Sequence, residues 1–515
     1  MTPGSVNEKL GTPTIPQFFQ ERHILITGAT GFMGKVLLCK LLRSCPGLGK
    51  IYVLIRSSRG KDAVTRLKEM LTLSLFDDVR KDPGFREDKI VVVEGDITAL
   101  GLGLSEADRA TILENVSIVF HVAASVRFNE PLTDAILMNT RGTREVVELC
   151  LKMKQLVALL HVSTTYSNCE HNLVEEAVYL SPMDWRDAIR IAEELDPAIV
   201  NTFATKCIGE KPNTYTFTKC LAEHVIWDHR HVLPIIIFRP SIVVSTWKDP
   251  VPGWLDNLNG PVGVMMGAGH GVLRVSMCDP DVVPDYMPVD IAIRAILVAV
   301  YQKGISNFQE PEEYIFNCAS TSSSISNKQL IELGMKLVKE VPLTTTLWYP
   351  TDDVTTSRTY FTVKSWFAHL LPAIAIDFAL RASGREPRLL KIQRKIFIAI
   401  LALSYFTCQE WKFKNEKFMK LLSFILPEDK VDFDFDFSDI DPSTYFRQCV
   451  LGARVYLLND PIENIPLGRK RFQRLYWGDK IVRVASILLA LWLLDLPRRM
   501  NDLWTTVDHN YLISL

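Results

Sequence analysis

Residues 23–37, HILITGATGFMGKVL, run an apolar strand straight into glycines at 28, 31 and 34, and then into a helical pattern. Few local sequences restrict a fold more. Gly28 permits a tight turn, Gly31 lets backbone approach a pyrophosphate, and Gly34 lets the following helix pack closely. The N-terminus of that helix then presents its free N–H groups to phosphates. The spacing is G-x-x-G-x-x-G, a variant of the dinucleotide turn. A glycine-rich turn without a ligand is the alternative, and placement in the first strand–helix unit speaks against it. Thr30, Phe32 and Met33, between and beside the glycines, join them as candidate cofactor contacts.

The pattern continues with KIYVLIR, KIVVVEGD, SIVFHVAA, LVALLHVST and LPIIIFRP, separated mostly by helical segments. Strands this uniformly apolar must be covered on both faces, as in a parallel sheet. The alternation predicts an α/β fold, a doubly wound Rossmann-type sheet with right-handed crossovers, to about residue 245. The chain has 515 residues, enough for more than one domain. We expect a flexible polar leader over 1–18, without the apolar core of a secretory signal. A nucleotide-binding domain over 19–345, a helical region over 350–460 and an amphiphilic tail over 466–515 then follow. The alternating Asp and Phe of DFDFDF, within the helical region, suits an edge strand or a loop.

The second strand ends in Arg56. An NAD enzyme would carry a carboxylate there for the ribose hydroxyls. A cation favours the 2′-phosphate of NADP, and Arg59 and Lys61 add positive charge close by. Asp96, closing VVVEGD, can meet the adenine or simply make a turn. Ala123, in FHVAA, is small enough for close passage of the cofactor.

Tyr215 and Lys219, in KPNTYTFTK, lie four residues apart and share a helix face. Alone, the pair is no more than the start of an amphipathic helix. Downstream of a dinucleotide turn it reads as chemistry. Hydride attack on a carbonyl leaves an oxyanion that needs a proton. Tyr215 can donate it, and a neighbouring ammonium, Lys219, would lower the phenol pKa toward the working range. Ser163 and Thr164, ending the strand HVST, offer hydroxyls to the developing charge.

The net charge of −1 gives no general attraction to nucleic acid. The ten cysteines contain no Cys-x-x-Cys pair, which argues against zinc and for reduced thiols in an intracellular compartment. The tail is locally charged: residues 466–500 hold eight Lys or Arg against two Asp, a net +6. Inside lies VASILLALWLL, residues 484–494, spanning only about 16 Å as a helix. That is too short to cross a bilayer and suits a helix lying in the membrane interface. A helix docked on the protein is the other reading.

ITGATGFMGKVLL, FHVAASVRFNEPL, HVSTTYSNC, KPNTYTFTK and above all FRPSIVVSTWKDPVPGWLDNLNGPVG resemble the alcohol-forming fatty acyl-CoA reductases of animals and insects. These belong to the extended short-chain dehydrogenase/reductase superfamily. LRASGREPRLLKIQRK and YFTCQEWKF resemble that family's helical C-terminal domain. The resemblance covers nearly everything after residue 18. Thr165 and Cys220 stand where the family usually has Ala, and neither change removes a catalytic group. The resemblance implies NADPH as cofactor, a long-chain acyl-CoA as substrate, and reduction to a primary alcohol through a bound aldehyde. It implies catalytic roles for Tyr215, Lys219, Thr164 and Ser163, with Lys219, Pro240 and Ser241 also near the cofactor. It needs no cysteine nucleophile, so Cys169 and Cys220 are expected to be bystanders. The loop carrying Trp247 and Trp254 either shapes the substrate entrance or covers the sheet edge. Membrane association at the endoplasmic reticulum, peroxisome or lipid droplet would follow from the tail; oligomeric state is not legible. The competing functions are a dehydrogenase of sterol or sugar hydroxyls, and a silent lipid-binding homologue. Arg56 and the Trp-rich loop oppose the first, and the intact Tyr215 and Lys219 oppose the second.

Overall fold

The computed structural model describes residues 11–58, 60–306, 310–320, 325–351 and 353–512, with side chains to residue 493. Arg59 lies outside the described residues. Seven parallel strands form the main sheet: β1 His23–Thr27, β2 Ile51–Ile55, β3 Ile90–Glu94, β4 Val116–His121, β5 Ala158–Val162, β6 Ile235–Pro240 and β7 Ile315–Cys318. Their order is β7-β6-β5-β4-β1-β2-β3, reversing direction of growth between β1 and β4. That switch point is where open α/β sheets bind ligands. Every residue of β2, β4, β5 and β6 is buried, so both faces are covered.

Successive strand residues feed opposite cores, as a period of two requires. Ile24, Ile26, Val53, Phe120 and Leu160 pack with helix α1 (Phe32–Ser44) on one face. Leu25, Leu54, Val119 and Leu159 pack with Phe217, Leu221 and Val225 of α2 (Thr214–Trp227) on the other. Helix α3 (Val289–Ile305) joins the α1 side.

Residues from Pro13 onward are not the flexible leader expected. Ile15–Phe19 is a helix, capped reciprocally by Thr14 and Gln17. Phe18 and Phe19 are buried, Tyr301 Oη donates to the Pro13 carbonyl at 2.7 Å, and the Ile15 N–H donates to Asp429 at 2.8 Å. The earlier residues of the leader, 1–10, fall outside the described residues.

The C-terminal region shares the main core. DFDFDF is a loop after Phe433 and not an edge strand. Asp432 and Phe433 end a short helix, and Phe433, Phe435 and Phe437 are buried against the α1–α3 layer. Three long helices complete the fold: α4 (Arg358–Ala382), α5 (Leu389–Thr407) and α6 (Ile465–Leu512). The apolar segment of the tail is therefore part of one continuous helix.

Candidate functional site

The turn from β1 to α1 makes a cradle that only glycine fits. Gly28 has φ +77°, and a Cβ there would lie 2.6 Å from the Ala123 nitrogen. Gly28 and Ala123 thus bring the ends of β1 and β4 into backbone contact. A Cβ on Gly34 would lie 2.2 Å from the Gly28 carbonyl oxygen, so Gly34 closes the helix onto its own turn rather than onto the sheet. Gly31 caps α1 with no side-chain acceptor, which leaves the first-turn N–H groups open to an anion. Thr30 is half-buried in this turn, as are Phe32 and Met33. These residues fit a dinucleotide.

The Trp-rich loop braces the cradle. Trp254 is buried and stacks on Phe32 with ring centroids 5.8 Å apart. The Asp290 carboxylate accepts N–H bonds from Trp247, Lys248 and Asp249 at 2.7, 2.9 and 3.0 Å. Lys35 of α1 pairs with Asp256 at 2.6 Å. Of the two roles open to this loop, these contacts describe a cover.

Arg56 and Asp96 meet where β2 and β3 end, 3.4 Å apart. Asp96 is held by the Thr98 N–H and hydroxyl at 2.9 and 2.8 Å. Arg56 is 55% exposed, free to turn toward a ligand. Arg66 donates to the Arg56 carbonyl and adds a second cation; Lys61 is committed to Glu69.

Tyr215 and Lys219 sit in the first turns of α2, whose N-terminus is capped by Asn213. The Tyr215 ring stacks on Phe128 at 5.9 Å. Burial pushes its hydroxyl up to about 12, opposed by a hydrogen bond to Thr164. Lys219 Nζ donates to the Val162 carbonyl at 2.7 Å. Burial pulls Lys219 down to about 8, and Glu223 draws it back upward. The depression of Tyr215 by Lys219 expected from the sequence is absent, because the ammonium is turned to the end of β5.

The two candidate hydroxyls separate. Thr164 reaches Tyr215, whereas Ser163 Oγ donates to Glu223 at 2.5 Å. Glu223 also lies 3.0 Å from Ser167 Oγ and accepts from Arg239 at 2.8 and 2.7 Å. Ser163 is thus a tie between β5 and α2, not a partner of Tyr215. Pro240 and Ser241 end β6 on the same sheet edge. The Ser241 N–H donates to the Cys318 carbonyl at 3.0 Å, and its side chain faces Asp285, which burial pushes up to about 7. Burial also pushes the thiols of Cys169 and Cys220 up to about 12 and 11. Both stay neutral at physiological pH and are poor nucleophiles.

Two groups of site residues had escaped the sequence reading. Glu223 stands four residues after Lys219, one further step along the same helix face, which is a legible signal. The other is an aromatic wall beside Tyr215. Phe406, near the end of α5, packs on Phe128 at 5.2 Å and on Tyr166 at 5.3 Å. No local pattern links Phe406 to Tyr215.

The chain is similar to known proteins along most of its length. Residues 26–296 match a family model described as male sterility protein, an NAD-binding domain, and residues 368–460 match a second model with the same description. Fatty acyl-CoA reductase 1 of Xenopus laevis is 38% identical over 463 residues, covering 90% of each chain. The Homo sapiens protein of that name is 37% identical, again over 90% of each. Fatty acyl-CoA reductase wat of Drosophila melanogaster is 36% identical, covering 93% of this chain and 92% of its own. Among solved structures, the reductase domain of a nonribosomal peptide synthetase from Mycobacterium tuberculosis superposes with a TM-score of 0.58. It is 17% identical and covers 87% of this chain and 94% of that one. The terminal reductase domain of the myxalamid pathway gives 0.54 at 21% identity, covering 86% and 93%. At these identities the two structures speak to the fold alone.

Proposed function

This chain belongs to the fatty acyl-CoA reductase family of oxidoreductases, and from that premise we propose that it reduces a long-chain acyl-CoA to a primary alcohol and CoA with NADPH. The observation that carries this reading is Tyr215, packed on Phe128 with Lys219 one turn further along α2, on the sheet edge that also holds the glycine cradle. The bound nicotinamide would supply one hydride to the thioester carbon and, from a second equivalent, another to the aldehyde carbon.

The protein's own groups do the rest. Tyr215 and Thr164 donate hydrogen bonds to the carbonyl oxygen, where negative charge develops. Tyr215 passes its proton to that oxygen. The hemithioacetal then breaks its C–S bond, its O–H proton leaving on sulfur as CoA thiol, and Tyr215 regains a proton from solvent. The same pair protonates the alkoxide formed in the second reduction. Lys219, one helical turn along α2 from Tyr215, holds the β5 end by donating to the Val162 carbonyl. The aromatic wall of Phe128, Tyr166 and Phe406 offers the alkyl chain an apolar surface that excludes water.

A product assay tests this. Membranes carrying the protein receive NADPH and a ladder of acyl-CoAs of increasing length, and products are identified by mass spectrometry. Fatty alcohol with two NADPH consumed per acyl-CoA is expected. Aldehyde as the sole product would remove the second step, and no product at any length would remove the proposal.

Arg56 is assigned to the 2′-phosphate. Arg56→Asp should lower the ratio of kcat/KM with NADPH to that with NADH roughly 10- to 100-fold, the scale of one lost charge-assisted contact. An unchanged ratio would move phosphate recognition to Arg66.

The pH profile follows from Lys219. Its folded pKa is lowered to about 8, so the ammonium is present below pH 8 and lost above it. Tyr215, pushed up to about 12, keeps its proton throughout. Reduction should therefore fall as pH rises through about 8, measured as kcat/KM with saturating cofactor. A profile flat to pH 10 would detach the Lys219 charge from catalysis.

The amphiphilic α6 supports residence on an intracellular membrane. Its proximal part is docked: Asp479 is buried and accepts from Trp348 Nε1 at 2.8 Å and Arg483 Nε at 2.5 Å. Beyond it, apolar side chains from Ile481 to Leu493 are exposed.

A further inference from the structure

Helix α4 carries two stripes. Phe361, Ser365, His369 and Ala373 are buried at a spacing of four. Phe361 packs in a small core with Leu273, Val275 and Ile400, and His369 Nε2 accepts the Arg274 N–H at 2.8 Å. The outer stripe is the apolar one. Tyr360, Val363, Phe367, Leu371, Ile374 and Phe378 recur at helical spacing and all are exposed, Phe367 by 68% and Phe378 by 75%. Exposed apolar surface this continuous marks an interaction site.

The surrounding charge says what covers it. Residues 358–407 hold eight Lys or Arg against two acidic residues, a net +6. Asp377 is spent on the N-terminus of α5, accepting N–H bonds from Arg388, Leu389 and Leu390 at 3.1, 2.9 and 2.8 Å. Glu386 pairs with Arg388. Arg381, Arg385, Lys391, Arg394 and Lys395 are exposed and have no ion pair among the described residues. Apolar and aromatic side chains beside unpaired cations are the composition of an interfacial helix on an anionic bilayer.

The helix is long and apolar enough to cross a membrane, but its attachment opposes that. Crossing would strip Phe361 and His369 from the body and carry Lys364, paired with Asp353, into hydrocarbon. The site also adjoins the tail. Arg274 holds His369 of α4 through its backbone and Asp479 of α6 through its guanidinium, at 3.5 Å.

We infer that the outer face of α4, with the basic start of α5, is a second membrane-docking surface, independent of the tail, whose partner is an anionic lipid bilayer. Helix α5 leads from this surface to Phe406, against Phe128 and so beside Tyr215. A lipid-borne acyl chain would have a short route to the site; that consequence rests on the proposed reaction, whereas the docking does not.

The test uses the full chain. An environment-sensitive fluorophore is placed at Phe378→Cys and, separately, at Val484→Cys in the tail, with the labelled parent as background. Vesicles of phosphatidylcholine and phosphatidylserine carry a doxyl-lipid quencher. Quenching at both positions is expected. Quenching at Val484→Cys alone would overturn the inference. So would a Phe378→Cys label already shielded before vesicles are added in a chain that runs as a dimer, since the face would then belong to a second copy. In a second measurement, Arg385→Gln, Lys391→Gln and Lys395→Gln together should reduce quenching at Phe378→Cys and lower vesicle partitioning roughly 10- to 100-fold at low salt. Equal partitioning and equal quenching would also overturn it. Far-UV circular dichroism and the thermal unfolding midpoint, compared with the parent, serve as the folding control.

Discussion

Tyr215→Phe should leave a folded chain that binds cofactor and turns over about 10²- to 10⁴-fold more slowly, the range for removing a positioned general acid. The substitution keeps the ring, and so keeps the stacking on Phe128 at 5.9 Å. What it removes is the hydroxyl that would donate the proton. The glycine cradle lies at the β1–α1 turn and makes no use of that hydroxyl, so the dissociation constant for NADPH should be unchanged. The loss should therefore appear in kcat and equally in kcat/KM, the mark of an interaction made in the transition state. Stopped-flow measurement of the first reduction isolates the step. A variant with near-normal turnover would show that Thr164 or a water supplies the proton, and Tyr215 would become a packing residue.

How much of this was legible depended on the range of the interaction. The β1–α1 turn is local, and its glycines declared it. Tyr215 and Lys219 are also local, four residues apart on one helix. The choice between Ser163 and Thr164 was not local. Adjacent strand residues point opposite ways, and only Glu223 and Arg239, on other elements, show which hydroxyl is taken. The capping pair Thr14 and Gln17 was visible as T-x-x-Q, but a polar, Pro-rich composition outweighed it. The apolar face of α4 hid for another reason. Its exposed stripe is apolar while its buried stripe includes Ser365 and His369, so hydropathy alone points the wrong side of the helix inward until the body is seen. Phe406 packs on Phe128, the ring beneath Tyr215, from nearly two hundred positions beyond Tyr215 in the chain, and no spacing rule could have brought it there.

The Glu223–Arg239 pair sets the second large effect. Both side chains are essentially inaccessible, at 1% and 0% exposure. Burial pushes Glu223 toward its neutral form, and Arg239 more than offsets that, holding it ionised below the usual carboxylate range. Glu223→Ala would leave the Arg239 guanidinium buried without its counter-charge. Such a deletion costs about 3–5 kcal/mol. Glu175, paired with Lys414 at the surface with 51% and 47% exposure, provides the contrast. Glu175→Ala should leave stability almost unchanged, because solvent already screens that pair. Urea unfolding of the two variants measures the difference directly. There is a functional consequence as well. Glu223 holds Ser163, and the Ser167 hydroxyl lies between Glu223 and the Thr164 carbonyl, 3.0 and 2.9 Å away, with its one proton to give to either. Loosening that chain shifts the Thr164 hydroxyl away from Tyr215. Glu223→Ala should thus lose turnover even at temperatures where it stays folded, while Glu223→Gln, which still accepts from Ser163, should recover part of it. Equal stability of Glu223→Ala and Glu175→Ala would mean that Arg239 finds carbonyl partners enough in Glu175 and Ala177, which already accept from it at 3.1 and 2.8 Å. The carboxylate would then be a positioning group and not a structural one.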